Sequence, residues 1–382
     1  MEKLGIYIHI PFCESKCYYC DFVSFRKTEQ EKCTYVDCLI NEIKYKAKML
    51  KNYEIDTIFV GGGTPSCLPS GCLLKIFNEL RMSLSLSKNC EISIEANPNS
   101  ITKEFACEIE KCGVNRISIG LQSCNDELLK LINRIHTSKD FVTAIDIINK
   151  NTSIKNINVD LMIGLPNQTI FDVTKSIDFV KDKVTHISCY GLILEENTKL
   201  FDMVKNNKIK LPDEDVCNKM YQTAYDKLNE NGYHRYEVSN FCKMGFECKH
   251  NLKYWNREEY VGFGLNASSF INGERFSNQI NFNKYISDYK DMNNIIDEKL
   301  NIEKLSKNDE IDEFVMLSLR TKYGLDTNKL ATKYNYDILK TKQNQIKKLT
   351  QNDFIKLENN TLKVTDKGLF VLNQIILELL CD

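Results

Sequence analysis

The sequence predicts an α/β protein: a partial (β/α)6 TIM-like barrel with a C-terminal aromatic-rich segment and a small winged-helix-like domain. Three observations predict it. Between residues 4 and 194, six short runs rich in Ile and Val alternate with longer segments of helical periodicity. Several runs lack polar alternation, as in strands buried on both faces of a parallel sheet. The 382 residues exceed one ordinary domain but suit an α/β barrel with an appendage.

The strand candidates are Leu4–Ile10, Thr57–Val60, Glu91–Glu95, Arg116–Gly120, Asn156–Ile163 and His186–Leu194. The helical segments between them are Glu29–Leu50, Ser70–Ser83, Thr102–Lys111, Asn125–Leu131, Lys139–Lys150 and Gln168–Lys181. In Lys139–Lys150, for example, Phe141, Ala144, Ile145 and Ile148 recur at helical spacing. Gly113 and Gly232 fit helix C-caps. Six consecutive βα units place their strands parallel in one sheet.

After Asn197 the pattern changes. Pro212–Asn231 reads as a helix with Val216, Met220, Tyr221, Ala224 and Leu228 on one face, and Tyr233–Ile286 as an irregular aromatic region. The tail reads as helices Ile311–Arg320, Thr327–Thr332 and Tyr336–Leu349, strands Phe354–Leu357 and Leu362–Thr365 joined by Glu358-Asn359-Asn360, and a last helix from Lys367. That order suggests a winged helix and divides the chain at 1–230, 231–305 and 306–382.

Composition narrows the function. Sixteen cysteines are about 4% of the chain, below the roughly 8–10% of disulfide scaffolds. The N-terminal apolar run is too short and too β-branched for a signal peptide, and no stretch reaches the length of a membrane helix. A cytoplasmic location with reduced thiols is expected. Net charge is −1, with basic residues dispersed, so no nucleic-acid partner is expected, winged helix or not.

The strongest motif is Cys13-Glu14-Ser15-Lys16-Cys17-Tyr18-Tyr19-Cys20, directly after the first strand. Buried structural thiols fit poorly, because Glu14, Ser15 and Lys16 make the segment a loop. Structural zinc would need a fourth ligand at finger-like spacing, and none follows. Three thiolates in one loop suit a 4Fe-4S cluster with one iron left open.

C-x3-C-x2-C after an opening strand resembles the radical S-adenosylmethionine superfamily, in which the cofactor's amino and carboxylate groups bind the open iron. Tyr7-Ile8-His9-Ile10-Pro11-Phe12-Cys13, Gly61-Gly62-Gly63-Thr64-Pro65, Glu95-Ala96-Asn97-Pro98, Asn115–Ser123 and Asn158–Pro166 look like the coproporphyrinogen dehydrogenase branch, HemN and its relative HemW. The resemblance runs from about residue 4 to the end of the chain.

The resemblance implies that Cys13, Cys17 and Cys20 bind the cluster. It implies that Tyr7, Tyr19, Gly62, Gly63, Thr64, Glu95, Gln122, Arg134 and Asp160 contact S-adenosylmethionine, with Gln122, Arg134 and Asp160 matching residues that line the remainder of that pocket or, in HemN, a second such molecule. Read from the residues alone, Glu95 could instead be a surface capping acid and Arg134 a solvated helix-end charge. Two departures from HemN stand out. Phe22 replaces a further cysteine after Asp21, and only twelve residues precede Cys13. Both match HemW and disfavour coproporphyrinogen oxidation.

His250-Asn251-Leu252-Lys253-Tyr254-Trp255 reproduces the H-N-x-x-Y-W signature of HemW. An imidazole could ligate haem iron, with Tyr254 and the sole Trp as flat surface. The segment reads equally well as a core-packing loop with a hydrogen-bonded histidine. Cys242 and Cys248 are nearby thiol candidates, and His9, His136, His186 and His234 are expected to be structural.

Taken with the resemblance, these features imply a haem chaperone that uses a 4Fe-4S cluster, S-adenosylmethionine and haem. Its partners would be haem-accepting proteins, with peripheral membrane contact and a homodimer. The alternatives are an oxygen-independent coproporphyrinogen III oxidase and an anaerobic haem-degrading radical methyltransferase.

Overall fold

The structure, a computed structural model, describes residues 1–381. Strands β1 (Glu2–Ile10), β2 (Tyr53–Gly62), β3 (Leu86–Ala96), β4 (Arg116–Gln122), β5 (Asn156–Ile163) and β6 (His186–Gly191) lie parallel in sequence order. Helices α1 (Glu29–Lys46), α2 (Cys72–Ser83), α3 (Lys103–Lys111), α4 (Asp126–Leu131), α5 (Ser138–Asn151) and α6 (Ile170–Val180) connect them. The six predicted strands and six predicted helices are all present.

Side-chain alternation explains the arrangement. Leu4, Ile6, Ile8 and Ile10 of β1 are fully buried in the main core, while Gly5, Tyr7 and His9 face the opposite side, toward the lumen. The helices start where local chemistry demands it. Capping boxes Thr28/Glu31, Thr137/Asp140 and Thr169/Asp172 open α1, α5 and α6. Helix α5 buries Phe141, Ala144, Ile145 and Ile148, the face its periodicity marks.

The chain continues through α7 (Lys199–Lys205), α8 (Glu214–Glu230), β7 (His234–Arg235), β8 (Asn240–Cys242), α9 (Lys249–Trp255), β9 (Tyr260–Phe263), β10 (Ser268–Ile271), β11 (Glu274–Ser277), α10 (Phe282–Tyr289) and β12 (Leu300–Lys304). The aromatic region is therefore regular, not irregular. Strand β9 pairs parallel with β1 from Gly5↔Tyr260 to Ile8↔Phe263, and β8 pairs antiparallel with β6. The result is one twelve-stranded sheet, β12-β11-β10-β9-β1-β2-β3-β4-β5-β6-β8-β7. Runs of two to five residues carry too little periodicity to announce these strands, and their pairing is long-range.

The C-terminal part comprises α11 (Lys307–Leu319), β13 (Leu325–Asp326), α12 (Thr327–Tyr334), α13 (Ile338–Thr341), α14 (Gln343–Gln351), β14 (Ile355–Glu358), β15 (Thr361–Val364), α15 (Asp366–Leu369) and α16 (Leu372–Leu379). Its sheet has the order β13-β15-β14, and Ile311, Phe314, Leu325, Leu330 and Leu362 belong to a core of its own. The expected Tyr336–Leu349 helix is two, α13 and α14, and the last helix is also split. Arg257 fastens this part to the barrel, with Nη2 3.3 Å from Glu310 and Nη1 donating to Tyr334 at 3.1 Å. Among the described residues, no helix is long and apolar enough to cross a membrane.

Candidate functional site

The cysteine loop leaves β1 and is closed at its neck by Phe25 N–H to Pro11 O (2.8 Å) and Cys13 N–H to Phe25 O (3.1 Å). Neighbouring elements position the rest. Tyr18 N–H donates to Ile132 O at 3.1 Å, Leu200 N–H of α7 to Tyr18 O at 2.8 Å, and Asn133 Nδ2 to Ser15 Oγ and Lys16 O at 3.0 and 2.9 Å. A loop with few apolar residues is thus held by hydrogen bonds rather than by a core.

Cys13, Cys17 and Cys20 line one cavity of about 170 Å3, together with Tyr19, Gly62, Gly63, Thr64, Glu95, Gln122, Arg134 and Asp160. Cys13 Sγ lies 3.5 Å from Thr64 Oγ1, and Arg134 Nη1 donates to Cys17 Sγ at 3.3 Å. Burial pushes the Cys20 thiol up to about 11. Among the described residues, no three His, Cys, Asp or Glu side chains converge to hold a single metal ion. A cubane takes one thiolate per iron, so thiols spread around a cavity fit it better than they fit zinc.

The glycine loop needs its glycines. Gly62 has φ +107, in the left-handed region. A Cβ on Gly63 would lie 2.6 Å from Phe12 O, because Gly63 N–H and Thr64 N–H bond Ile10 O and Phe12 O at 2.9 and 2.7 Å. Close backbone contact seats this loop against the cysteine loop.

Two carboxylates occupy the inner wall. Glu95, near the end of β3, accepts from Gly62 N–H at 3.1 Å. Burial, then the Asp160 charge, raises its carboxyl to about 7 against the pull of that N–H. Asp160 accepts from Asn158 Nδ2 at 2.8 Å and Ser118 Oγ at 3.4 Å, and burial raises its pKa as well. Glu95 is therefore a cavity acid, not a surface cap.

Arg134 is no solvated helix-end charge either. Its Nη2 donates to Asn97 Oδ1 at 2.7 Å and to Gly120 O, while its Nε is buried without a partner. Asn97 Nδ2 in turn donates to Thr64 Oγ1 at 3.1 Å. Gln122, at φ +70, accepts from Tyr190 OH at 3.1 Å. A second cavity of about 550 Å3 adjoins the first through Tyr19, Cys20, Phe22, Glu95, Asp160 and Tyr190. Carboxylates on one side and a guanidinium on the other complement a zwitterion.

Tyr7 stands apart from the other residues implicated by sequence. It does not line the cavity; its hydroxyl meets His9 Nδ1 at 3.0 Å and its ring stacks on Phe59. Conversely, Asn97 and Tyr190 join the site without having been singled out. Asn97 stands in the quoted Glu-Ala-Asn-Pro motif, and Tyr190 keeps the alternation His186, Ser188, Tyr190 along β6.

The opposite end of the lumen is sealed by α9. Glu91 accepts from the N–H groups of Lys249 and His250, both at 3.0 Å, at the start of that helix. His250 is fully buried, with Nδ1 2.8 Å from Thr57 Oγ1 and Nε2 2.7 Å from Tyr254 OH. Burial lowers its pKa to about 3. Both ring nitrogens are engaged in hydrogen bonds here, the arrangement that the core-packing reading of this segment expects. Burial pushes the thiols of Cys242 and Cys248 up to about 12.

Comparison with known proteins gives the family. A profile described as the radical SAM superfamily matches residues 7–180, and one described as the HemN C-terminal domain matches 305–371. The heme chaperone HemW of Lactococcus lactis subsp. lactis is 35% identical over 98% of this chain and 97% of its own length. That of Bacillus subtilis is 32% identical over 97% of each. The chain belongs to the HemW family. The structure of HemN from Escherichia coli, described as a coproporphyrinogen III oxidase and radical SAM enzyme, covers 99% of this HemW-family chain and 90% of its own. The TM-score is 0.84 at 22% identity, a likeness of fold. Radical SAM membership implies a 4Fe-4S cluster and S-adenosylmethionine, and the thiols and zwitterion-complementary cavity of this HemW-family chain fit both.

Proposed function

We propose that this protein is a haem chaperone that binds haem and passes it to acceptor proteins. Cys13, Cys17 and Cys20 would hold three irons of a 4Fe-4S cluster, leaving the fourth for S-adenosylmethionine. Thr64, Glu95, Gln122, Arg134 and Asp160 would orient that cofactor: Glu95 and Asp160 accept from its cationic and hydroxyl groups, and Arg134 donates to carboxylate. When bound and reduced, the cluster supplies the electron for cleaving the cofactor's sulfonium bond. Sixteen free thiols support a reducing, cytoplasmic setting.

One observation favours the chaperone over a coproporphyrinogen oxidase. The larger cavity beside the cysteine loop carries Asp21, Glu95, Asp160 and Glu195 and neither Lys nor Arg. Coproporphyrinogen brings four carboxylates, which would meet like charge without a counter-ion. The full-length relatives named heme chaperones point the same way.

The test is a mixing experiment. Anaerobically reconstituted protein receives haem, coproporphyrinogen III, S-adenosylmethionine and a reductant. Intact haem retained stoichiometrically is the expected result. Conversion of coproporphyrinogen would overturn the proposal, and so would consumption of haem, which would indicate a degradative methyltransferase.

A further inference from the structure

A haem carrier needs an iron ligand and is helped by cations for two propionates, and the larger cavity beside the cysteine loop has no His, Lys or Arg in its lining. The cavity beside the cysteine loop is acidic, and His250 is sealed beneath the barrel. His9, His136 and His186 are likewise buried, at 5, 3 and 0% exposure. Among the chain's five histidines, only His234 is exposed.

His234 starts the short edge strand β7, paired to β8 through His234↔Cys242. It borders a cleft of about 350 Å3 between the barrel side, with Tyr225 of α8 and Arg235 of β7, and the β14–β15 hairpin of the C-terminal part. Four cations line that cleft: Arg235, Lys322, Lys356 and Lys363, against one carboxylate, Asp366. That carboxylate is engaged, accepting from Tyr225 OH at 2.8 Å.

The guanidinium of Arg235 is the telling group. Its Nη1 is buried with no hydrogen-bond partner. Buried donors are normally satisfied, and this one is not, although the charge of the half-buried side chain acts on the nearby Glu237 carboxylate. Lys356 and Lys363 pair with Glu358, at 2.9 and 3.7 Å, and Lys322 with Glu247, at 3.3 Å, and with the Tyr323 ring. The two more exposed pairs, those to Glu358, are worth about 0–1 kcal/mol and open readily. The cleft therefore presents cations that an incoming carboxylate can take over, next to the one accessible imidazole.

We propose that haem docks in this cleft, with His234 as an iron ligand and Arg235, Lys356 and Lys363 paired to the propionates; this rests on the haem-binding reading above. A guanidinium fork matches a carboxylate bidentately, and neutral imidazole is a common metal ligand. One Fe–N bond forms as the imidazole displaces water from ferric haem, with no change in oxidation state. The Tyr225 ring, set edge-on to Phe241 at 6.1 Å, offers the macrocycle a flat apolar neighbour. Docking on an open cleft leaves the outer haem face available to an acceptor, as transfer requires.

The experiment is a hemin titration of the full-length, cluster-reconstituted protein, read by Soret position and affinity. The wild type is expected to bind one hemin with an imidazole-type Soret shift. His234→Ala and His234→Gln, on an exposed edge position, should keep the iron–sulfur absorption, lose the shift and weaken binding about tenfold, some 1.4 kcal/mol. Lys356→Ala with Lys363→Ala should weaken binding while leaving the Soret position unchanged, and haem dimethyl ester should bind the wild type no better than hemin binds that variant. If both His234 variants match the wild type in spectrum and affinity, the site is wrong while the haem-binding reading stands. If the wild type binds no hemin, both fall.

Discussion

Arg134 Nη1 sits 3.3 Å from Cys17 Sγ, and the other arm of the same guanidinium, Nη2, lies 2.7 Å from Asn97 Oδ1. One side chain thus couples a candidate cluster thiol to the strand end after β3, and through Asn97 and Thr64 to the neighbourhood of Cys13. Two of the three candidate cluster ligands share one hydrogen-bonded network.

That network makes a prediction about the cluster itself. Hydrogen bonds to a ligating sulfur stabilise its negative charge and raise the reduction potential. Arg134→Gln should therefore retain iron but shift the cluster potential downward. S-adenosylmethionine affinity should fall about ten- to a hundredfold, the loss of one charge-assisted hydrogen bond worth roughly 1.5–3 kcal/mol. An EPR-monitored redox titration and a binding isotherm read the two effects. An unchanged potential with unchanged affinity would show that Arg134 is only a scaffold.

Glu95 predicts a pH dependence for cofactor binding. Burial and Asp160 raise its carboxyl to about 7, so it is largely protonated below that value and charged above it. S-adenosylmethionine carries a sulfonium and an ammonium, which an ionised Glu95 attracts. Affinity should therefore rise as pH increases through about 7, and Glu95→Gln should flatten the profile while lowering affinity at pH 8. Isothermal titration from pH 6 to 8 checks both. A wild-type profile without inflection would remove Glu95 from contact with the cationic groups.

Much of this was legible in the sequence because the signals were local. The six barrel strands are β-branched runs between helices, three of which open on capping boxes that fall within four residues, and the C-x3-C-x2-C spacing confines its candidate ligands to one loop. The rest depends on distant pairing. Strand β9 is recognisable only because Tyr260–Phe263 aligns with Gly5–Ile8 across some 250 residues of chain, and no local pattern reports such a partner. His250 shows the same limit. H-N-x-x-Y-W reads as a ligand or a packing motif, and the partners of its histidine, Thr57 from β2 and Glu91 from β3, are brought to it only by the fold. Tyr7 lies in the motif-bearing strand, yet its inward register places it below the cavity wall.

The barrel floor gives the last prediction. Glu91 accepts from two N–H groups at the start of α9 and lies 3.6 Å from Cys248 Sγ. Glu91→Ala strands these buried donors, each worth about 1–3 kcal/mol, so the urea midpoint should drop clearly while iron content is retained. His250 adds a pH signature. Burial holds it neutral in the fold, with its pKa lowered to about 3, whereas the unfolded side chain titrates near about 6.5. Its contribution to stability is full above pH 6.5 and is lost as pH falls, at about 1.4 kcal/mol per unit. His9 and His136, each lowered to about 4, act in the same direction. Glu95 and Glu237, raised by burial to about 7 and about 6, act in the opposite one. The His250→Gln variant isolates the term: it should be less stable than wild type at pH 7.5, yet lose stability more slowly between pH 6 and 4.5, by about one proton in slope. Parallel curves would mean that His250 is protonated in the fold, and the sealed floor with two neutral hydrogen bonds would then be wrong.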